Sequence, residues 1–206
     1  MTRKRPVRTP RQKRSIETAQ RIVEAAEALF SEKGFHGTNS KEIAAAAGVS
    51  IGAFYDYFPN KKALFLEVSR QYSARVMDRV FGTLAADRPH PEDPRSFVHA
   101  MIRMALEAHD LSPQFHREAM VMRLSDPDVK DLLDAEEEMI LARLREILRA
   151  MEGATRIQDV EAAAVVMKSA LEEVIHGIKI FTPRVEKERL LSELADMISR
   201  YLFEAA

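Results

Sequence analysis

Residues 39–61 read Asn39-Ser40-Lys41-Glu42-Ile43-Ala44-Ala45-Ala46-Ala47-Gly48-Val49-Ser50-Ile51-Gly52-Ala53-Phe54-Tyr55-Asp56-Tyr57-Phe58-Pro59-Asn60-Lys61. Asn39 is a favoured N-cap residue, and Glu42 three positions on completes a capping-box pair, so a helix starts here. Ile43 and Ala46/Ala47 give that short helix one buried face. Gly48 breaks it. Ser50 caps a further helix over 51–58, which Pro59 stops because proline lacks an N–H and constrains the residue before it. Two short capped helices around a tight glycine turn form a helix-turn-helix pattern.

The reading extends outward on both sides. Upstream, Ile16, Ala19, Ile22/Val23, Ala26 and Leu29/Phe30 recur at helical spacing, and Gly34 is placed to end that helix as a C-cap. Downstream, Asn60 is placed to cap a fourth helix carrying Leu64, Val68, Tyr72, Val76 and Val80 on one face. Residues 1–15 hold seven Lys and Arg, no acid and two prolines, and read as a disordered basic arm. Either that arm is a solvated tail, or it adds phosphate or minor-groove contacts.

A net charge of −1 conceals an asymmetry. Residues 1–62 hold 12 Lys and Arg against 6 Asp and Glu, a balance of +6; residues 63–206 hold 19 against 26, a balance of −7. Only the basic part suits a polyanion. Apolar residues make up 46% of the chain and charged residues 31%, as in a globular protein rather than a disordered one. Cysteine is absent, which excludes disulfides, thiolate zinc sites and cysteine catalysis. No apolar run approaches the ~20 residues of a membrane helix, and no signal-peptide core follows the basic N-terminus. The expectation is a cytoplasmic protein with no membrane association.

With only seven glycines and no β-branched alternation, the rest of the chain reads as helix. Asp93-Pro94, Ser112-Pro113, Asp126-Pro127 and Thr182-Pro183 each set a capping side chain before a proline suited to the first helical turn. The predicted helices are 94–110, 113–124, 127–151, 157–181 and 184–204. The fold class is therefore all-α, with about nine helices. Arg88-Pro89-His90-Pro91 is the clearest loop.

In a helix-turn-helix, the second helix enters the major groove, and small residues on its outer face let it approach. Gly52 and Ala53 meet that need. Phe54 and Phe58, four apart, are expected to pack inward. Tyr55 and Tyr57 can aim hydroxyls at phosphates, and Lys61 stands at a helix start that favours one.

The stretch from Arg21 to Leu64 resembles the DNA-binding domain of the tetracycline-repressor (TetR) family. The pattern is carried by Ala25-Ala26, Leu29-Phe30, Gly34-Phe35, Thr38, Ile43-Ala44, Ala47-Gly48-Val49-Ser50, Gly52, Tyr55, Tyr57-Phe58, Lys61 and Leu64. The resemblance implies a helix-turn-helix domain over 16–62, joined to a helical ligand-binding and dimerisation domain over 63–206. It implies a homodimer, paired through the last two helices, on a near-palindromic double-stranded DNA operator. It also implies a small-molecule inducer of unknown identity. By position, Ser40, Ser50, Tyr55, Tyr57 and Lys61 would meet phosphates, and Lys41, Ile51, Gly52 and Ala53 would face base edges. Ile51 departs from the lysine frequent there in the family; its best option is a thymine methyl. Asp56 either accepts from a cytosine amino group or turns away into solvent.

In the second half, Met101, Met104, Met120 and Met139 accompany Phe115 on the middle helices. Such side chains suit an adaptable apolar pocket and are equally common core filler. As a set they favour an apolar or amphipathic inducer, with His116, Arg123 and His176 as candidate polar contacts. The spacing of His109 and His116 would align them only on an unbroken helix, and Ser112-Pro113 interrupts it, so no metal site is expected. Cofactor and catalytic signatures are missing: there is no Gly-rich phosphate loop, nucleophile elbow or His-Glu-x-x-His. The expected function is a ligand-responsive repressor; the alternative is the same fold governed by a protein partner.

Overall fold

The structure is a computed structural model that describes residues 13–86, 94–109, 112–151 and 153–203. Among these residues there are nine helices and no strand: α1 (Lys13–Gly37), α2 (Ser40–Ala46), α3 (Ile51–Tyr57), α4 (Lys61–Ala86), α5 (Pro94–His109), α6 (Pro113–Ser125), α7 (Pro127–Ala150), α8 (Val160–Lys179) and α9 (Lys187–Leu202). None of these helices is long and apolar enough to cross a membrane.

Four expectations meet their outcome at helix ends. Gly34 has φ 73° and ψ 168°, so α1 breaks there as glycine permits, although a last helical turn runs on to Gly37. Lys13, Arg14 and Ser15 are helical rather than part of an arm; residues 1–12 lie outside the described residues. The loop at Arg88–Pro91 and the capping role of Asp93 lie outside them too. Pro113 and Pro127 do begin helices, and the Asp126 carboxylate accepts from the N–H groups of Asp128 and Val129. Thr182-Pro183 does not begin one. Residues 182–186 remain irregular and α9 starts at Lys187 without a side-chain cap. A capping residue before proline also suits a turn, and here the turn wins.

By contacts the chain forms two compact units. The first runs to Ser73 and includes Gln114–Leu132; the second comprises Ala74–Pro113 and the chain from Leu133. Residues 62 and 63 both lie in the first unit, as does most of α6. The core of this unit is aromatic. Phe30, Phe54, Phe65 and Phe115 are fully buried, with Ile22, Ile43, Leu64 and Met122 around them. The Phe30 and Phe65 rings meet at 5.2 Å, Phe65 and Phe115 at 5.4 Å, and Tyr72 and Phe115 at 5.6 Å. These separations are those of favourable tilted and edge-on ring pairs.

In the second unit α5, α8 and α9 pack on one another. Its core is aliphatic and methionine-rich: Phe81, Phe97, Met101, Ile102, Met104, Leu144, Leu148, Met167, Leu194, Ile198 and Leu202. Small Ala163 and Ala164 on α8 bring that helix close to its neighbours. Lys168 is buried here as well, its ammonium on Glu137 at 2.7 Å and Glu172 at 2.6 Å. Pairing of this kind is what makes a buried charge tolerable.

Candidate DNA-binding interface

The interface is assembled from local devices. The Asn39 side chain accepts from the N–H groups of Lys41 (3.0 Å) and Glu42 (3.1 Å), and the Asn39 N–H donates back to Glu42 (3.2 Å). Both halves of the capping box are in place. At the other end of α2, Gly48 has φ 65°; its N–H bonds the Ala45 carbonyl and that of Val49 the Ala44 carbonyl. This is the Schellman pairing that lets a left-handed glycine turn the chain sharply. Ser50 then caps α3 by accepting from Ala53 N–H at 3.1 Å. Thr38, buried, ties its hydroxyl to the carbonyls of Gly34 and Leu29, fixing the entry from α1.

Phe54 faces inward and is fully buried, which orients α3. Phe58, expected inward too, is only half-buried, 6.2 Å from Phe54. The opposite side of α3 is open: Ile51 is 38% exposed, Tyr55 49% exposed, and Gly52 adds no side chain between them. Lys41 and Ser50 are exposed, while Ser40 and Ala53 are half-buried. The Tyr57 hydroxyl shares a 3.0 Å hydrogen bond with that of Ser15, a partner no local sequence signal marks.

Lys61 takes a position that sequence reading did not anticipate. Its ammonium donates to the carbonyls of Phe35 (2.5 Å) and Thr38 (2.6 Å) and sits 4.2 Å over the Phe35 ring. Burial lowers its pKa from the ordinary lysine value, partly offset by the charge of Glu118. Glu118, from α6, accepts the Phe35 N–H. Lys61 thus closes the junction of α1 and α2. Lys62 is an ion-paired residue, 2.8 Å from Asp126 and 2.5 Å from Asp128. The signal for Asp126 was its helix-start position; its second role depends on tertiary packing.

The candidate ligand contacts divide between the units. Phe115 is buried in the first, with half-buried His116, Met120 and Arg123; the His116 ring lies 5.9 Å from that of Tyr72. Met101, Met104 and His176 are buried in the second. Met139 does not fit an interior role: it is 51% exposed on α7, because the buried face of that helix runs through Leu141, Leu144 and Leu148.

A capped helix-turn-helix whose second helix presents an open outer face is the architecture of a DNA-binding regulator. Residues 22–68 match the family model described as bacterial regulatory proteins, tetR family. Residues 93–202, more than half the chain, match the tetracyclin repressor-like C-terminal domain. The chain belongs to the TetR family of transcriptional regulators, whose members bind DNA operators and act as dimers. It is similar to the regulator RutR of Escherichia coli, 36% identical over 130 residues, 58% of either chain. It is similar also to the repressor AcnR of Corynebacterium efficiens, 31% identical over 93 residues, 44% of this chain and 50% of that one. The chain spans about half the length of these curated relatives. Among solved structures, a transcriptional regulator from Saccharomonospora viridis in complex with choline superposes with a TM-score of 0.77 at 19% identity, covering 92% of this chain and 100% of that one. The fatty acid degradation regulator FadR from Bacillus halodurans superposes at 0.72 and 19% identity, covering 92% and 96%.

Proposed function

We propose that the protein is a dimeric, ligand-responsive repressor that grips a near-palindromic operator with one α3 per major groove. The observation that carries this reading is the open face of α3, where Ile51, Gly52 and Tyr55 line one side of a helix anchored from behind by Phe54. Lys41, Ile51, Gly52 and Ala53 approach base edges; Ser40, Ser50, Tyr55 and Tyr57 meet phosphates. Lys61 enters with two of its three donors committed to carbonyls, so its main part is to hold the motif's shape. Pairing through α8 and α9 is supported by apolar side chains left exposed there: Val165 and Val166 on α8, Met197 and Tyr201 on α9. The buried Met101, Met104 and Met167 support an apolar or amphipathic inducer. Helix α4, whose residues belong to both units, would carry the response.

The test is fluorescence anisotropy on a duplex selected by the protein from random sequence and on an unrelated duplex. Tyr55→Phe should weaken both alike, by roughly threefold to tenfold for one lost phosphate hydrogen bond. Ile51→Ala should change preference at one base pair. Loss of sequence preference in Tyr55→Phe with affinity intact would overturn the assignment of Tyr55. Operator binding unmoved by a broad panel of small molecules would count against the inducer.

A further inference from the structure

Sequence spacing alone argued against a metal site, since it compared only residues on neighbouring stretches of chain. In the second unit, however, α5 and α8 pack together and bring two distant histidines face to edge. The rings of His109 and His176 lie 5.2 Å apart at 61°. Their candidate ligand nitrogens fall within 4.8 Å of each other. Two imidazoles on one tetrahedral zinc, at ~2.0–2.1 Å each, have nitrogens roughly 3.4 Å apart. A small side-chain rotation therefore closes the pair onto an ion.

Three further observations make the pair a site rather than a coincidence. First, His109 Nδ1 lies 2.7 Å from the carbonyl of Ala105, which can only accept. This puts a proton on Nδ1 and, in the neutral ring, leaves the lone pair on Nε2, the backbone-carbonyl support seen in metal-binding histidines. Second, His176 is buried, so an ion on its ring would be shielded from bulk water. Third, both residues stand in the last turn of their helices, His109 ending α5 and His176 near the end of α8. The partial negative charge at a helix C-terminus favours a cation. Glu172 and Glu173 add negative charge toward His176, while Lys168, which opposes a cation, is already neutralised by Glu137 and Glu172.

We propose that His109 and His176 bind a divalent transition-metal ion of the zinc, nickel or cobalt type, its remaining positions taken by water or by a donor atom of a bound small molecule. Imidazole nitrogens select such ions over magnesium or calcium, which prefer oxygen. Metal binding is independent of the operator, so it stands or falls apart from the proposed function.

The experiment uses the full chain, freed of metal by a chelator and titrated with Zn²⁺ by calorimetry and thermal unfolding. One equivalent should bind, and metal at 100 times Kd should raise Tm by on the order of 5–10 °C. Mg²⁺ should leave Tm unchanged. His109→Gln and His176→Gln, which preserve bulk and fold, should each weaken Zn²⁺ binding at least about tenfold. Co²⁺ should give a d–d absorption that both variants lose. The proposal is overturned if Zn²⁺ does not bind saturably, or if it binds the double variant as tightly as the wild type.

Discussion

The two units reach stability by different means. The first contains two helices of only seven residues, α2 and α3. Helices that short do not persist alone; they stand because side chains cap their ends and because edge-on rings leave few alternative packings. The second is built on α5, α8 and α9, of 16, 20 and 16 residues. Its interior is packed with methionine and aliphatic side chains that can rearrange. A surface that must meet DNA in one geometry rests on rigid, directional contacts. The second unit, where part of the proposed inducer site lies, rests on adaptable ones.

The largest effect should come from cutting into each core. Phe30→Ala removes a fully buried ring and should cost about 3–5 kcal/mol in urea unfolding, with loss of DNA binding. Met101→Leu, equally buried but nearly isosteric, should cost under about 1.5 kcal/mol. A cost for Met101→Leu well above about 1.5 kcal/mol would show that the second core does not adapt.

A smaller effect sharpens the role of caps. Asn39→Ala loses the capping box of α2 and should destabilise the first unit by about 1 kcal/mol. Hydrogen exchange should accelerate in α2 and not in α8. An equal acceleration in α8 would mean that the units do not respond separately.

The smallest effect lies in the Lys62 ion pairs, which are partly solvated and screened by salt. The hydrogen bond from Lys62 lowers the Asp126 pKa, and the one to Asp126 raises that of Lys62. The carboxylate's contribution is therefore present above about pH 4 and lost as pH falls through its lower folded value. The ammonium's contribution is present below about pH 10 and lost as pH rises past its folded value. Urea midpoints should favour the wild type slightly over Lys62→Ala at pH 7 and converge at pH 2. A gap that persists at pH 2 would show that packing, not charge, holds this contact.

The nine helices and the helix-turn-helix were legible because their signals are local. A cap, a glycine turn and a run of apolar spacing act within about four residues of each other, which is the reach of a helical turn. The same locality misled at Thr182-Pro183, where turn and helix start share one signature. It also left Met139 among the pocket candidates, since composition does not say which side of a helix is covered.

Sequence order alone decided that the chain is helical, where most of its helices lie, which residues form the DNA-reading motif and to which family the chain belongs. Those properties depend on neighbours along the chain. Only tertiary structure decided that Lys61 turns inward to two carbonyls, that Glu118 of α6 serves the α1–α2 junction, that Lys168 is buried between two carboxylates and that His109 meets His176. Apart from Lys168–Glu172, one turn apart on α8, each of these joins residues far apart in the chain, and such pairings are set by packing that no single stretch of sequence encodes.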